Sequence, residues 1–215
     1  MKKVVMMFLV SLLFAGTMQG QEKPSVGFTP GSFYTFSWNT TFTLGDFHEW
    51  VANTSPAGFD LGGRYFLDKG LAVGFNIGWQ RVGQLYGYQT FYDKDGSAIT
   101  ADNYRFTWMV PFQGVVAYHI APGKLISPYI GLGIGGDYME HHLLVQEIDA
   151  YNVRWDFSLT PEVGALIKFG NFSSWGALVA FNYKWTTNRI ELYHDSKSKD
   201  LSMLNLKVGL CLIVR

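Results

Sequence analysis

From residue 33 to the C-terminus, apolar and polar residues alternate one by one along eight separate segments. A period of two is typical of a β-strand, because successive side chains point to opposite faces of the sheet. In the last segment, Leu204, Leu206 and Val208 alternate with Asn205 and Lys207. No helical period competes with this pattern after residue 20. The eight predicted strands span residues 33–44, 59–67, 71–80, 104–120, 126–135, 153–168, 175–186 and 204–214.

The connections between these segments alternate in length. Short connections with turn-forming residues lie at 68–70, 121–124 and 170–174. Longer connections lie at 45–56, 83–101, 141–150 and 187–202. An even number of strands joined in this way is typical of antiparallel up-and-down barrels of the outer membrane. The sequence therefore predicts one all-β domain, an eight-stranded antiparallel up-and-down barrel.

The composition indicates which face of these strands points outward. Opposite the apolar residues stand mainly Gly, Ser, Thr, Asn and Ala, and charged residues make up only 16% of the chain. A soluble barrel of the lipocalin kind, which is the alternative, would need a charged face toward water. We therefore predict a transmembrane β-barrel whose apolar face contacts lipid, with short periplasmic turns and longer extracellular loops. Large aromatic residues near the strand ends fit membrane-interface girdles: Trp38, Trp79, Trp108, Trp155, Trp175, Tyr183 and Trp185.

The N-terminus has the pattern of a secretory signal peptide. Lys2 and Lys3 precede an apolar run from Val4 to Ala15, which a small and polar stretch follows. This run is shorter than the roughly 20 residues that a membrane-spanning helix needs. We therefore predict a signal peptide over 1–20 and an exported barrel domain over 21–215.

Several motifs resemble a known group of proteins. The segments WNTTFTLGDFHEW, GFDLGGRYFLDKGLAVGFNIGW, PYIGLGIGGDY and PEVGALIKFG are similar to the small eight-stranded outer-membrane β-barrels of the OmpX and OmpA-barrel type, including uncharacterised Gram-negative members. The resemblance implies location in the bacterial outer membrane after passage through the periplasm, and contact with the barrel assembly machinery during biogenesis. Such barrels usually end on an aromatic residue, whereas this chain ends Val214-Arg215.

Charged residues on the small-residue face predict an ion-pair network inside the barrel. Arg64, Glu162, Lys184 and Lys207 fall in the middle of predicted strands, and Glu162 is the one acid that we place there. A poorly hydrated lumen requires such charges to pair. We therefore predict a network centred on Glu162 with Lys184, Lys207 or Arg64. Three further charges lie nearer the strand ends on the same face: Arg105, Asp60 and Asp156.

Other chemistry finds little support in the sequence. The formal net charge is zero and there is one cysteine, which disfavours a nucleic-acid partner and excludes a disulfide scaffold. Gly131, Gly133 and Gly136 spell a dinucleotide motif, but they lie inside a predicted strand rather than before a helix. Adjacent His141 and His142 point to opposite faces of a strand. We therefore predict no catalytic residue, no metal site and no cofactor.

Two functions remain open. An eight-stranded barrel has a lumen that side chains can fill, which favours a non-enzymatic structural or interaction protein that presents surface loops for adhesion or partner binding. The alternative is a small gated channel, or a barrel that handles lipid or small molecules. We expect contact with outer-membrane lipid and lipopolysaccharide, and a surface partner at loops 83–101 and 187–202. Candidate loop contacts are Tyr86, Tyr88, Phe91 and Tyr92.

Overall fold

A computed structural model provides the structure of most of the chain. The predicted signal peptide lies outside the described residues, as do the side chains of Phe91 and Tyr92. The structure describes residues 31–67, 70–92, 96, 98–146, 148–171, 173–187, 189–190 and 200–214.

Eight antiparallel strands close into one barrel in chain order, with β8 pairing to β1. The strands are β1 (Ser32–Leu44), β2 (Gly58–Phe66), β3 (Leu71–Tyr92), β4 (Ala98–His119), β5 (Ile126–Val145), β6 (Ile148–Lys168), β7 (Trp175–Thr186) and β8 (Leu201–Val214). A short helix, α1 (Asp46–Trp50), lies between β1 and β2. The predicted fold class is confirmed. None of the helices in the described part of the chain is long and apolar enough to span a membrane.

The prediction of extracellular loops is wrong for two of the four predicted loops, those at 83–101 and 141–150. The structure continues β3 and β4 through most of 83–101, and it continues β5 and β6 through most of 141–150. These four strands have 22, 22, 20 and 21 residues, whereas the other four have 9 to 14. A β-bulge between Tyr86 and Gln89 interrupts the alternation there, which hides the strand from a search for period two. Polar side chains still pair across the strands, as in the 2.8 Å contact between Thr90 Oγ1 and Thr100 Oγ1.

Solvent exposure separates the two faces of every strand as the alternation predicts. On β8, Val208 is 51% exposed, whereas its neighbour Lys207 is 5% exposed. The same contrast holds on β7 between Phe181 and Asn182. A continuous band of exposed apolar side chains therefore surrounds the barrel, and a band of this kind is suited to lipid rather than to water.

Aromatic rings mark the outer edge of this apolar band. Trp79 of β3 contacts Trp108 of β4 with ring centroids 6.2 Å apart. Tyr138 of β5 contacts Trp155 of β6 with centroids 5.1 Å apart. Amphipathic rings of this kind lie at the boundary between hydrocarbon and headgroups. We call these four residues the outer aromatic belt.

Arginine on the lipid face should destabilise the barrel. Leu206 and Val179 lie on the outward face of neighbouring strands, so Leu206→Arg or Val179→Arg should lower the free energy of unfolding by about 2–4 kcal/mol. Urea unfolding in lipid vesicles, followed by the heat-dependent gel shift of the folded barrel, measures this loss. Leu85→Arg is the matched control, because Leu85 is outward-facing and 70% exposed but lies beyond the belt. Equal loss in all three variants would contradict the assigned membrane position.

Candidate functional site

Buried charges meet in the middle of the lumen. The ammonium of Lys207 on β8 lies 2.7 Å from Oδ2 of Asp60 on β2 and 3.2 Å from Oε2 of Glu162 on β6. The Arg64 guanidinium on β2 reaches Oε1 of the same Glu162 at 4.0 Å. Because β8 pairs with β1, barrel closure brings β2 and β8 to opposite sides of β1. We call Asp60, Arg64, Glu162 and Lys207 the lumen network.

Neutral groups complete the hydrogen bonds of the Glu162 carboxylate. Tyr129 donates its hydroxyl to Oε1 at 2.7 Å, and Asn182 donates Nδ2 to Oε2 at 3.4 Å. Asn205 donates to Asn182 at 2.9 Å, and Thr41 donates to Asn205 at 2.8 Å. This chain of donors crosses from β1 to β6. It keeps the carboxylate hydrogen-bonded as well as ion-paired, which a buried charge requires.

The structure assigns Lys184 to a different carboxylate than the one predicted. Its ammonium lies 3.3 Å from Oδ1 of Asp137 on β5, and both side chains are almost fully buried. The sequence analysis did not include Asp137 among the lumen charges. The alternation could have placed Asp137 in the lumen, because Asp137 shares its strand face with Gly133 and Gly135. The lumen thus holds a second buried ion pair beside the lumen network.

Two other predicted lumen charges lie apart from the lumen network. Asp156 pairs with Arg154 on its own strand, at 3.4 Å. Arg105 lies in the extracellular mouth, where its guanidinium carbon is 5.1 Å from the Trp50 ring and 4.6 Å from the Tyr86 ring. Burial lowers the pKa of Arg105 below its ordinary value, and the interaction with Tyr86 offsets part of this decrease. Arg105 therefore stabilises the packing of Trp50 and Tyr86 in the mouth and does not belong to the lumen network.

Little space remains around the lumen network. Two cavities of about 10 Å³ each adjoin it, and both are lined by Asn76, Gln113, Thr160 and Lys207. Gln113 Nε2 bridges to the hydroxyls of Ser158 and Thr160 at 2.9 and 2.7 Å. A cavity of this size holds about one water molecule. Side chains therefore fill the lumen at the level of the ion pairs.

An apolar cluster closes the mouth above the ion pairs. Phe47 of helix α1 and Val51, the residue after the helix, point into the barrel, where both are fully buried. Thr43 Oγ1 donates to the Val51 carbonyl at 2.6 Å, and Tyr86 donates to the Trp50 carbonyl at 3.1 Å. We call this cluster the mouth plug. It comprises Phe47, Val51, Val82, Met109, Met139, Ile190, Leu201 and Met203.

The sequence analysis missed the mouth plug because it treated 45–56 as an exposed loop. The signal was the spacing of Phe47, Trp50 and Val51, which places three apolar side chains on one side of a single helical turn. Tyr86 was predicted as a loop contact, but the structure directs it into the mouth. Tyr88 is 77% exposed, which is compatible with a surface contact.

A second apolar layer closes the periplasmic end. Phe33 and Phe66 pack with ring centroids 5.8 Å apart, and both contact the His119 ring. Ile213 and Leu166 belong to the same buried cluster. The ion pairs therefore lie between two apolar layers, which separates them from water on both sides.

The histidines of the barrel lie in separate surroundings. No group of three or more His, Cys, Asp or Glu residues in the described part of the chain can hold a metal ion. His141 is buried and lies 2.8 Å from Thr107 Oγ1, whereas His142 is outward and lies 3.1 Å from Asp149. A Ser–His pair that the sequence analysis missed joins Ser127 to His119 at 3.1 Å, but both residues are at most 2% exposed.

The long strands form a wall beyond the outer aromatic belt. β7 pairs with β6 only up to Ser158, and Thr187 then donates its N–H to the Phe157 carbonyl at 3.0 Å. Beyond that point, residues 148–156 of β6 pair with β5, and no described strand pairs with them on the other side. We call the four-stranded extension of β3 to β6 the outer wall, and residues 148–156 its open edge.

Comparison with solved structures identifies the class of fold. The crystal structure of Neisserial surface protein A matches with a TM-score of 0.50 and 10% identity, over 86% of this chain and 98% of that chain. The N-terminal β-barrel domain of Pseudomonas aeruginosa OprF matches with a TM-score of 0.44 and 11% identity, over 86% and 100% of the two chains. The outer membrane protein AlkL matches with a TM-score of 0.44 and 18% identity, over 92% and 96%.

No protein-family model matches the sequence, and no curated protein matches it. The similarity to Neisserial surface protein A, at 10% identity, concerns the fold alone. The fold is that of the small eight-stranded outer-membrane β-barrels, as the sequence motifs indicate.

Proposed function

We propose that the protein is a non-enzymatic barrel of the bacterial outer membrane that binds a partner protein through its outer wall. The observation that carries this proposal is the open edge of β6, where Tyr151, Val153 and Trp155 have no backbone partner on their outer side among the described residues. Such an edge is a template for an additional strand, and proteins with other functions usually cover or shorten it. An extended segment of a partner can bind there by β-strand addition.

The register determines which backbone groups of the open edge are available. Phe157 directs both its N–H and its carbonyl toward Thr187 on the β7 side. Backbone groups of an antiparallel strand alternate between its two neighbours, and the β5–β6 register has no shift. Tyr151, Val153 and Trp155 therefore direct their backbone groups to the open side.

The side chains of the open edge determine the partner's chemistry. Tyr151, Val153 and Trp155 are 64%, 44% and 65% exposed on the outward face. Asn152 lies on the inward face, and its side-chain oxygen is buried without a hydrogen-bond donor among the described residues. A partner strand with apolar residues on one face and donor side chains on the other would complement both.

The interior supports a closed barrel rather than the alternative of a channel or carrier. The mouth plug, the buried ion pairs and the periplasmic layer follow one another along the barrel axis. An enzyme is disfavoured because the Ser127–His119 pair lies inside the periplasmic layer, away from any substrate. Delivery to the outer membrane is part of the proposal and depends on the signal peptide over 1–20 and on the assembly machinery. Lipopolysaccharide is the expected surrounding lipid.

Removing one backbone donor from the open edge tests the proposal. Val153→Pro deletes an N–H on the open side and leaves the β5–β6 hydrogen bonds in place. We expect the wild type to attach cells to protein-coated surfaces, and cells that display Val153→Pro should lose most of this attachment. Val153→Thr is the matched control, because it keeps the N–H and the β-branched shape. Attachment that survives Val153→Pro, at equal surface display, would contradict binding through this edge.

A further inference from the structure

Arg81 is set apart from the other basic side chains of the barrel. Among the described strand residues, every other lysine or arginine lies on the inward face, whereas Arg81 lies on the outward face of β3. Its register partner is Trp108, a member of the outer aromatic belt. The inward-facing set comprises Arg64, Arg105, Arg154, Lys168, Lys184 and Lys207.

Two aromatic rings hold the Arg81 guanidinium in place. Its carbon lies 5.0 Å from the centroid of Phe106 and 5.9 Å from that of Trp108. Stacking of this kind orients the planar group and still leaves its N–H donors available. The side chain is thus held in position before any ligand arrives.

The donors of Arg81 have no partner among the described residues. Its Nε is buried without a hydrogen bond, and none of the ion pairs between described residues includes this arginine. Glu140 faces the other side of Trp108 in the same register row, but it contacts Tyr138 and His142 instead. A fixed cation with unused donors at a membrane surface is a favourable site for an anion.

The height of Arg81 indicates which anion is available. Arg81 lies two residues beyond Trp79 on the same face of β3, which is about 7 Å along a strand. With the strand tilt of such barrels, this corresponds to roughly 5 Å beyond the aromatic belt along the membrane normal. That level is the headgroup region, where lipid phosphates lie.

We propose that Arg81 binds the phosphate of a phosphorylated outer-leaflet lipid. The planar fork of the guanidinium matches the oxygens of a phosphate, and stacking on Phe106 and Trp108 fixes the direction of approach. The carboxylates of Glu140 and Asp149 surround His142 further along the wall and repel an anion there. The phosphate therefore lies on the β3 side of the wall, away from the open edge.

Thermal unfolding of the purified barrel tests this assignment. In detergent micelles doped with diphosphoryl lipid A, the unfolding midpoint of the wild type should exceed the midpoint with dephosphorylated lipid A, because a ligand stabilises the state that binds it. Arg81→Gln should abolish this phosphate-dependent difference, and Arg81→Lys should retain part of it. Leu85→Gln is the matched control on the same strand face and should keep the full difference.

Three results would overturn the proposal. Equal midpoints of the wild type in the two lipids, or a full difference in Arg81→Gln, would show that Arg81 only covers the aromatic rings. A rise of the same size with sodium phosphate at the same concentration would reassign the site to a soluble phosphate. The inference rests on the proposed outer-membrane location, but the assay contains no partner protein. Its failure therefore leaves binding at the open edge of β6 to be judged separately by Val153→Pro.

Discussion

Lys207→Met should lower the free energy of unfolding by about 3–5 kcal/mol, as expected when one partner of a buried ion pair is removed. The substitution keeps an unbranched side chain of similar length but leaves both Asp60 and Glu162 without their shared cation. Among the described residues, Asp60 then has no ion-pair partner, and the ion-pair partner that remains to Glu162 is Arg64 at 4.0 Å. Urea unfolding of the barrel refolded into lipid vesicles measures the change.

Two comparisons separate the ion pairs from simple packing. Glu162→Gln should lower the free energy of unfolding by less, about 1.5–3 kcal/mol. In this variant Lys207 retains its ion pair with Asp60, and Arg64 retains its hydrogen bond to the Phe75 carbonyl at 2.9 Å. The triple variant that adds Glu162→Gln and Asp60→Asn to Lys207→Met should recover much of the loss, since the one charge left in the lumen network, Arg64, still donates to the Phe75 carbonyl. A Lys207→Met barrel as stable as the wild type would show that water solvates these charges and that the network does not exist.

Phe47→Ala should release the mouth plug. A buried phenylalanine contributes about 3–5 kcal/mol when truncated to alanine. The segment around α1 can open without unfolding the barrel, so the loss should be observed locally. The Val51 amide, which donates to the Phe47 carbonyl at 2.9 Å, should exchange its hydrogen about 100- to 4,000-fold faster.

The control for the mouth plug is Glu49→Ala on the same helix. Glu49 is exposed, so its removal leaves the apolar cluster intact and should hardly change the exchange rate. Amides in the β7–β8 ladder serve as an internal reference, because they exchange only when the barrel itself opens. Unchanged exchange of Val51 in Phe47→Ala would contradict the assigned role of this side chain as the anchor of α1.

Periodicity alone predicted the barrel, because one face of each strand must meet lipid while the other must fit a narrow lumen. That constraint acts on every residue between the aromatic girdles, so the alternation is strongest there. Beyond Trp79 and Trp108 the strands leave the membrane and both faces tolerate polar residues. The sequence therefore reads as a loop where β3 to β6 continue as strands.

The site was less predictable than the fold. Alternation assigned Arg64, Glu162 and Lys207 to the same lumen, but it contains no information about height along the axis after barrel closure. Lys184 meets Asp137 rather than Glu162 because β5 and β7 face each other across β6 at that level. The mouth plug depends on a single helical turn, in which the spacing of Phe47, Trp50 and Val51 is visible but too short to distinguish a helix from a loop.

Planar-bilayer recording from the purified wild-type barrel tests most directly the central claim that the lumen is closed and that function resides on the outer wall. Between the two apolar layers, the two cavities that adjoin the paired charges have volumes of about 10 Å³ each. We therefore expect no steady single-channel steps from the inserted, folded barrel at any moderate voltage. Regular steps of uniform size from the same preparation would contradict the account and would favour a gated channel instead.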